Sequence, residues 1–196
     1  MNIGVLALQG AFMEHRKMLE SLHANVNVVE VRLPVHLNII DGLIIPGGES
    51  TTISKLANAY HLIQPIQHFS ESHPIWGTCA GMIFMAKHLE QVQQTSLEIM
   101  NIKVQRNAFG RQVDSFVTQL DVPELNYTPF PGIFIRAPAV VDYESSVQVL
   151  ARLSDNTVVA VKEKHWLATS FHPELTDDNR FHQYFLDMIA TTKKGV

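Results

Sequence analysis

The sequence predicts an α/β fold: a single three-layer domain over residues 1–196, with a mixed, mostly parallel central sheet flanked by helices. Three observations lead there. In the first half, short apolar runs alternate with stretches of helical periodicity, the pattern of a parallel sheet with crossover helices. From Ile99 to Phe171 the texture changes to short β-like runs punctuated by Gly and Pro, which reads as antiparallel additions to the same sheet. A chain of 196 residues with 46% hydrophobic content is long enough for one full core, and no repeat, low-complexity segment or linker divides it.

Each element has its own signal. Ile3 to Leu8 is an apolar run that reads as a buried first strand, and Phe12, His15, Leu19 and Leu22 then recur on one helical face. Val26 to Val31 supplies a second strand and Gly42 to Ile45 a third. The third ends at Pro46-Gly47-Gly48-Glu49-Ser50, a Gly-rich ligand loop opening a helix from about Thr52 to Tyr60, with Ser50 or Thr51 as its expected cap. Ile75-Trp76 runs into Gly77-Thr78-Cys79-Ala80-Gly81 and a helix through about Lys87. Ser115 to Leu120, Val147 to Leu153, Val158 to Val161 and Trp166 to Phe171 read as later strands. The last helix carries Phe181, Tyr184, Phe185, Met188 and Ile189 at i, i+3, i+4, i+7 and i+8, behind Asp177 and Asp178 as cap candidates.

Composition narrows the chemistry. The net charge is −4 with Lys and Arg dispersed, so no basic stripe offers itself to nucleic acid. No apolar run reaches the roughly 18 residues of a membrane span, and the start Met1-Asn2-Ile3-Gly4 has no basic leader, which points to a cytoplasmic protein. One cysteine excludes an intramolecular disulfide and argues against a Cys-rich zinc site. The ten histidines read mostly as surface residues. Without a His-x-x-x-His pair and an acidic third ligand on a helix they give no metal site, and nothing else calls for a cofactor.

A lone cysteine is ordinarily a small buried hydrophobe. Gly77-x-Cys79-x-Gly81 between strand and helix is different, because it has the layout of a nucleophile elbow whose small flanks permit a sharp turn. The helix N-terminus favours negative charge on sulfur, and the Ala80 N–H is placed to bind an oxyanion. Such a nucleophile needs an imidazole and a group that orients it. Ser170-Phe171-His172-Pro173-Glu174 offers both, with His172 just past a strand end and Glu174 returning to the same side beyond Pro173. A His-x-Glu triplet alone is commonly a surface feature. Its separation from Cys79 by 93 positions (172 minus 79) suits partners on different strands of one sheet.

These residues resemble the class I glutamine amidotransferases, whose glutaminase domains carry a Gly-x-Cys-x-Gly elbow and a downstream His-Pro-Glu. Within that class the chain is most similar to the glutaminase subunits of pyridoxal 5'-phosphate synthase. The resemblance rests on Gly4 to Ala11, Pro46 to Thr52, Gly77 to Gly81, Arg106-Asn107-Ala108-Phe109-Gly110-Arg111-Gln112, Phe134 to Pro138 and Ser170 to Leu175. It implies Cys79 as nucleophile with His172 and Glu174 completing the triad. It further implies glutamine binding by Gly47, Gly48, Glu49, Arg106, Ile135 and Arg136, and, as partner, a synthase subunit that receives the ammonia. The N–H groups of Gly48 and Ala80 are then the expected oxyanion donors. Met13, Trp76 and Trp166 depart from the family pattern without removing a chemical group.

Three other readings compete. A glutaminase of another amidotransferase, such as that of imidazole glycerol phosphate synthase, keeps the chemistry and changes the partner. A cysteine peptidase-like hydrolase of similar architecture needs neither Gly47-Gly48-Glu49 nor the two arginines. A non-enzymatic module with a degenerate site is disfavoured because no triad position is substituted.

Overall fold

The apolar runs at Ile3, Leu43 and Ile75 become neighbouring parallel strands, because residues buried on both faces can be covered only by helices on either side. The computed structural model describes residues 1–22, 26–90, 94–110, 115–126 and 128–194. Its first half runs β1 (Asn2–Leu6), α1 (Phe12–Ser21), β2 (Asn27–Val31), β3 (Gly42–Ile45), α2 (Ser50–Ala59), α3 (Ile63–Ser70), β4 (Ile75–Thr78) and α4 (Ala80–Met85). The second half runs β5 (Ala86–Leu89), β6 (Met100–Gln105), β7 (Ser115–Leu120), β8 (Phe130–Ile135), β9 (Ala139–Tyr143), β10 (Gln148–Arg152), β11 (Val158–Glu163), β12 (Trp166–Thr169) and α5 (Arg180–Lys194).

The main sheet has the order β2-β1-β3-β4-β12-β11-β9-β6-β5, with β10 paired to β11. Strands from β2 to β12 are parallel, those from β12 to β6 antiparallel, and β5 joins β6 in parallel. One apolar layer, with Ile53, Ala57, Ile66, Met82 and Phe84, lies under α2, α3 and α4. The other gathers Leu19 of α1 with Phe181, Phe185 and Ile189 of α5. That is the expected helix–sheet–helix sandwich.

Four local expectations are corrected. Glu49, not Ser50 or Thr51, caps α2: its backbone is extended and its carboxylate accepts the Thr51 and Thr52 N–H groups. The helix after Cys79 stops at Met85, two residues short of Lys87. There the carbonyls of Phe84 and Met85 are taken by the N–H groups of Leu97 and Ile99 as the chain returns, and Ala86 turns extended into β5. Ser115 to Leu120 does form a strand, but it pairs with β8 in a separate two-stranded sheet. That hairpin is held by aromatic packing, with Phe116 stacked on Phe134 at 4.6 Å and Phe134 against Phe171 at 5.5 Å. Finally, Trp166 to Thr169 lies parallel to β4, so the second half is not purely antiparallel. At α5, Asp178 accepts the Arg180 N–H at 3.1 Å, as the sequence anticipates for one of its two aspartates. No helix among the described residues is long and apolar enough to cross a membrane.

Candidate active site

The β4–β12 pairing places the chemistry. Thr78 lies opposite Thr169 in parallel register, so the residues that follow each strand emerge at the same sheet edge. Cys79 comes directly after β4 with φ +48° and ψ −103°, a conformation that costs a residue with a Cβ about 1–3 kcal/mol and is held by its surroundings. Its N–H donates to the Thr169 carbonyl at 2.8 Å. The turn is this tight because a Cβ on Gly81 would lie 2.0 Å from the Ile45 carbonyl oxygen, and one on Gly77 2.5 Å from the Gly81 carbonyl carbon. Ala80 opens α4 beside the sulfur.

After β12, Ser170 donates its N–H to the Val159 carbonyl and His172 donates its own to the Ile133 carbonyl of β8, each at 2.8 Å. The hairpin therefore fixes the backbone of the candidate base. Pro173 then opens a single 3-10 turn, Pro173–Leu175, which brings Glu174 back under the ring. His172 Nδ1 and Glu174 Oε1 are 2.7 Å apart, both side chains almost wholly buried. From the other side the Cys79 sulfur favours positive charge on the ring. Burial disfavours charge on His172, but the Cys79 sulfur and the Glu174 carboxylate outweigh it and raise the imidazole to about 10. Burial likewise pushes Glu174 up, and the nearby His15 and His172 more than reverse it, holding the carboxyl below its usual range.

The Gly-rich loop after β3 closes over this pair. Gly47 donates its N–H to Thr78 Oγ1 at 2.9 Å, and its carbonyl accepts the Ala11 N–H at 2.9 Å. A Cβ there would stand 2.4 Å from His172 Cε1 and 3.3 Å from Cys79 Cβ, so the glycine lies against both side chains. Gly48 is exposed and lies against the Gln9 side chain, whose Oε1 accepts the Glu49 N–H at 2.7 Å.

The predicted site residues divide into two groups. Cys79, His172, Glu174, Gly47, Ala80 and the Ile135 carbonyl, which the thiol approaches at 3.9 Å, meet around the sulfur. Glu49 and Arg106 form a second group, 3.3 Å apart. Hydrogen bonds from the Thr51 and Thr52 hydroxyls and N–H groups overcome partial burial to hold Glu49 at about 2. Arg136 is exposed and has φ +43°, next to Ile135. Arg111 and Gln112 of the family motif lie outside the described residues.

Three participants carried no signal as site residues: Thr78, which anchors Gly47; Gln9, which anchors Glu49; and His15, whose ring reaches Glu174. His15 and His182, both 0% exposed, are exceptions to the expectation that most histidines lie at the surface, which His36, His61, His68, His73, His88 and His165 meet by being exposed or partly so. The only hint of their burial was position, on the apolar faces of α1 and α5. Among the described residues there is no cluster of three or more His, Cys, Asp or Glu side chains able to hold a metal.

Comparison with known proteins gives the family. The model of the SNO glutamine amidotransferase family matches residues 5–191. Pyridoxal 5'-phosphate synthase subunit PdxT of Dehalococcoides mccartyi is 55% identical over 196 residues, covering 98% of this chain and all of the relative. The protein of the same name from Herpetosiphon aurantiacus is 52% identical over 192 residues, with 96% and 100% coverage. A crystal structure described as a glutamine amidotransferase superposes with a TM-score of 0.90 at 46% identity, covering 96% of this chain and 98% of that one. A putative GMP synthase component from Thermoplasma acidophilum, at 18% identity and a TM-score of 0.71 over 99% of this chain and 96% of that one, shares the fold. With an elbow cysteine, a buried His–Glu pair and a family match that spans nearly its whole length, this chain belongs to the SNO glutamine amidotransferase family.

Proposed function

We propose that the chain, acting as one glutaminase domain over residues 1–196, hydrolyses L-glutamine to L-glutamate and ammonia. The ammonia passes to a synthase subunit that makes pyridoxal 5'-phosphate, in keeping with the name its relatives bear. The observation that carries this reading is the line formed by Cys79, His172 and Glu174, with the sulfur on a positive-φ elbow and the ring held by a buried carboxylate.

The chemistry runs in two halves. The Cys79 sulfur attacks the side-chain carbonyl carbon of glutamine, its proton residing on His172, and the carbonyl π pair moves onto oxygen. N–H groups of Gly48 and Ala80 receive that oxyanion. As the tetrahedral intermediate collapses, the C–N bond breaks and His172 gives its proton to the leaving nitrogen, releasing ammonia and leaving a γ-glutamyl thioester. Water then attacks the thioester while His172 takes its proton, and the C–S bond breaks to free glutamate and regenerate the sulfur. Glu174 keeps the imidazole oriented and stabilises its positive charge throughout. Gly47, Gly48, Glu49, Arg106, Ile135 and Arg136 surround the substrate.

Ammonia released to water becomes ammonium and ceases to be a nucleophile, so direct transfer to the synthase follows from the product's own chemistry. The reading places the reaction in the cytoplasm, without nucleic acid, membrane or cofactor. In the complex with the synthase, Cys79→Ala is expected to abolish glutamine-dependent formation of pyridoxal 5'-phosphate and to leave ammonium-dependent formation intact. Equal loss of both would reject Cys79 as the nucleophile.

A further inference from the structure

Beneath the triad lies a polar chain that the reaction above does not use. His15 of α1 is 0% exposed, and its Nε2 stands 3.4 Å from Glu174 Oε2 and 3.2 Å from Thr78 Oγ1. Its Nδ1 is 2.9 Å from Nε2 of His182, from α5, also 0% exposed. Thr78 Oγ1 is the atom that receives the Gly47 N–H. His15 thus touches, directly or through one hydroxyl, both the carboxylate that orients the base and the loop that closes over the sulfur. The groups that act electrostatically on it are Glu174, His172, Glu14 and His182.

The protons on this chain can be assigned by elimination. Glu174 Oε2 has no hydrogen-bond partner among the described residues other than the approaching His15 ring, and His182 Nδ1 has none. If His15 carried its proton on Nδ1, its Nε2 lone pair would face the carboxylate oxygen, and His182 would hold an orphaned N–H in the core. Both are costly. With the proton on Nε2, His15 donates toward Glu174 Oε2 and shares that donor with Thr78, while His182 donates its Nε2–H to His15 Nδ1. A lone pair on His182 and the Thr78 hydroxyl proton then have no partner among the described residues, a smaller cost than a lone pair set against an ionised carboxylate together with an orphaned ring N–H. Burial drives both rings to the neutral form this arrangement requires. The Trp76 indole walls the pair in, edge-to-face with His15 at 5.5 Å and with His182 at 4.9 Å, and donates its own N–H to Thr169 Oγ1 at 3.2 Å.

We propose that His15 is a positioning residue of the glutaminase: it sets an Nε2–H against Glu174 Oε2 at 3.4 Å, links that carboxylate through Thr78 to the Gly47 loop, and has its tautomer set by His182. This rests on the reading of Cys79, His172 and Glu174 as the catalytic line. Without the His15 donor, Glu174 Oε2 is buried beside apolar atoms, the carboxylate accepts a proton more readily, and the imidazolium loses its support at a higher pH.

The test uses the complex with the synthase and follows glutamate release against glutamine concentration from about pH 3.5 to 9, so that the window includes the range below 4.5 in which Glu174 titrates. His15→Phe is expected to lower kcat about tenfold or more, to leave KM within about twofold, and to move the acidic limb of the kcat profile up by about half a unit or more. His15→Gln, whose amide N–H can replace the ring donor, is expected to recover most of kcat and to return the limb toward its wild-type position. A folded His15→Phe with an unmoved limb overturns the proposal, as does His15→Gln performing no better than His15→Phe. Should His15→Phe not fold, His182→Phe decides: a loss of about threefold in kcat with the same upward limb supports the role, and wild-type values overturn it. Labelling of Cys79 by a glutamine-analogue electrophile separates the two levels of inference. A wild type that is neither labelled nor active fails the glutaminase reading. An active, labelled wild type whose His15 variants match it fails this proposal alone.

Discussion

Replacing Gly47 by alanine tests whether the close fit of loop and base is what catalysis depends on. The added Cβ would sit 2.4 Å from His172 Cε1 and 2.9 Å from Nδ1. Carbon atoms reach favourable contact only near 3.5 Å, so something must move by roughly 1 Å. The loop is poorly able to give way, because the Gly47 N–H is held by Thr78 and its carbonyl by Ala11, each at 2.9 Å. The imidazole is the softer partner, and its displacement stretches the 2.7 Å bond to Glu174 and spoils its approach to the sulfur. A misplacement of about 1 Å at a reacting group lowers turnover about 100-fold. Global stability should fall by much less than at Gly81, where the clash is with the Ile45 backbone at 2.0 Å and no side chain can turn aside. Glutamate release in the complex with the synthase measures the first effect, and urea denaturation the second. A Gly47→Ala protein that retained kcat within about threefold of wild type would refute the reasoning, as would one destabilised as severely as Gly81→Ala.

Two further expectations concern pH. Glu49 sits at about 2 in the folded chain against an ordinary 4.5, so its cap stabilises above about 4.5 and is lost as pH falls through 2. Glu49→Ala should therefore destabilise α2 by about 1 kcal/mol at pH 7 and by less than half as much at pH 3, and an equal difference by urea denaturation at both would contradict the assignment. His172 has the opposite sign: raised from 6.5 to about 10, it contributes stability that is complete below about 6.5 and vanishes as pH rises through 10. The difference in Tm between wild type and His172→Gln should shrink steadily from pH 6.5 to 10, and a constant difference would count against the charged pair.

Local signals carried the first half of the fold well. Gly42–Ile45 has the predicted bounds, and α1 buries His15 and Leu19 on the predicted face. What failed was competition between partners that a linear pattern cannot rank. Ser50 and Thr51 are good capping residues, yet Glu49 has the longer reach and takes both N–H groups, while Ser50 is buried and bonds Gln94 instead. The helix beyond Cys79 is apolar enough to continue, but its terminal carbonyls are claimed by a segment about a dozen residues further on. Ser115 to Leu120 alternates as a strand should, and nothing in that alternation says which strand it will join.

The site was legible for a different reason. Small residues around Cys79 and the proline between His172 and Glu174 are local instructions, readable without knowing what they face. The meeting of the two segments is not local: it follows from the parallel register of Thr78 with Thr169, which turns 93 positions of sequence into neighbouring ends of adjacent strands. The same register explains why the supporting residues escaped notice. Thr78 faces inward from the last position of β4, so its hydroxyl serves Gly47 on one side and His15 on the other, and neither use leaves a mark on the sequence around it. A buried histidine on an apolar helix face is compatible with ordinary packing. It acquires a role only when Glu174 presents an oxygen with no other described donor, because an ionised carboxylate in an apolar layer demands a second bond that the triad alone does not provide.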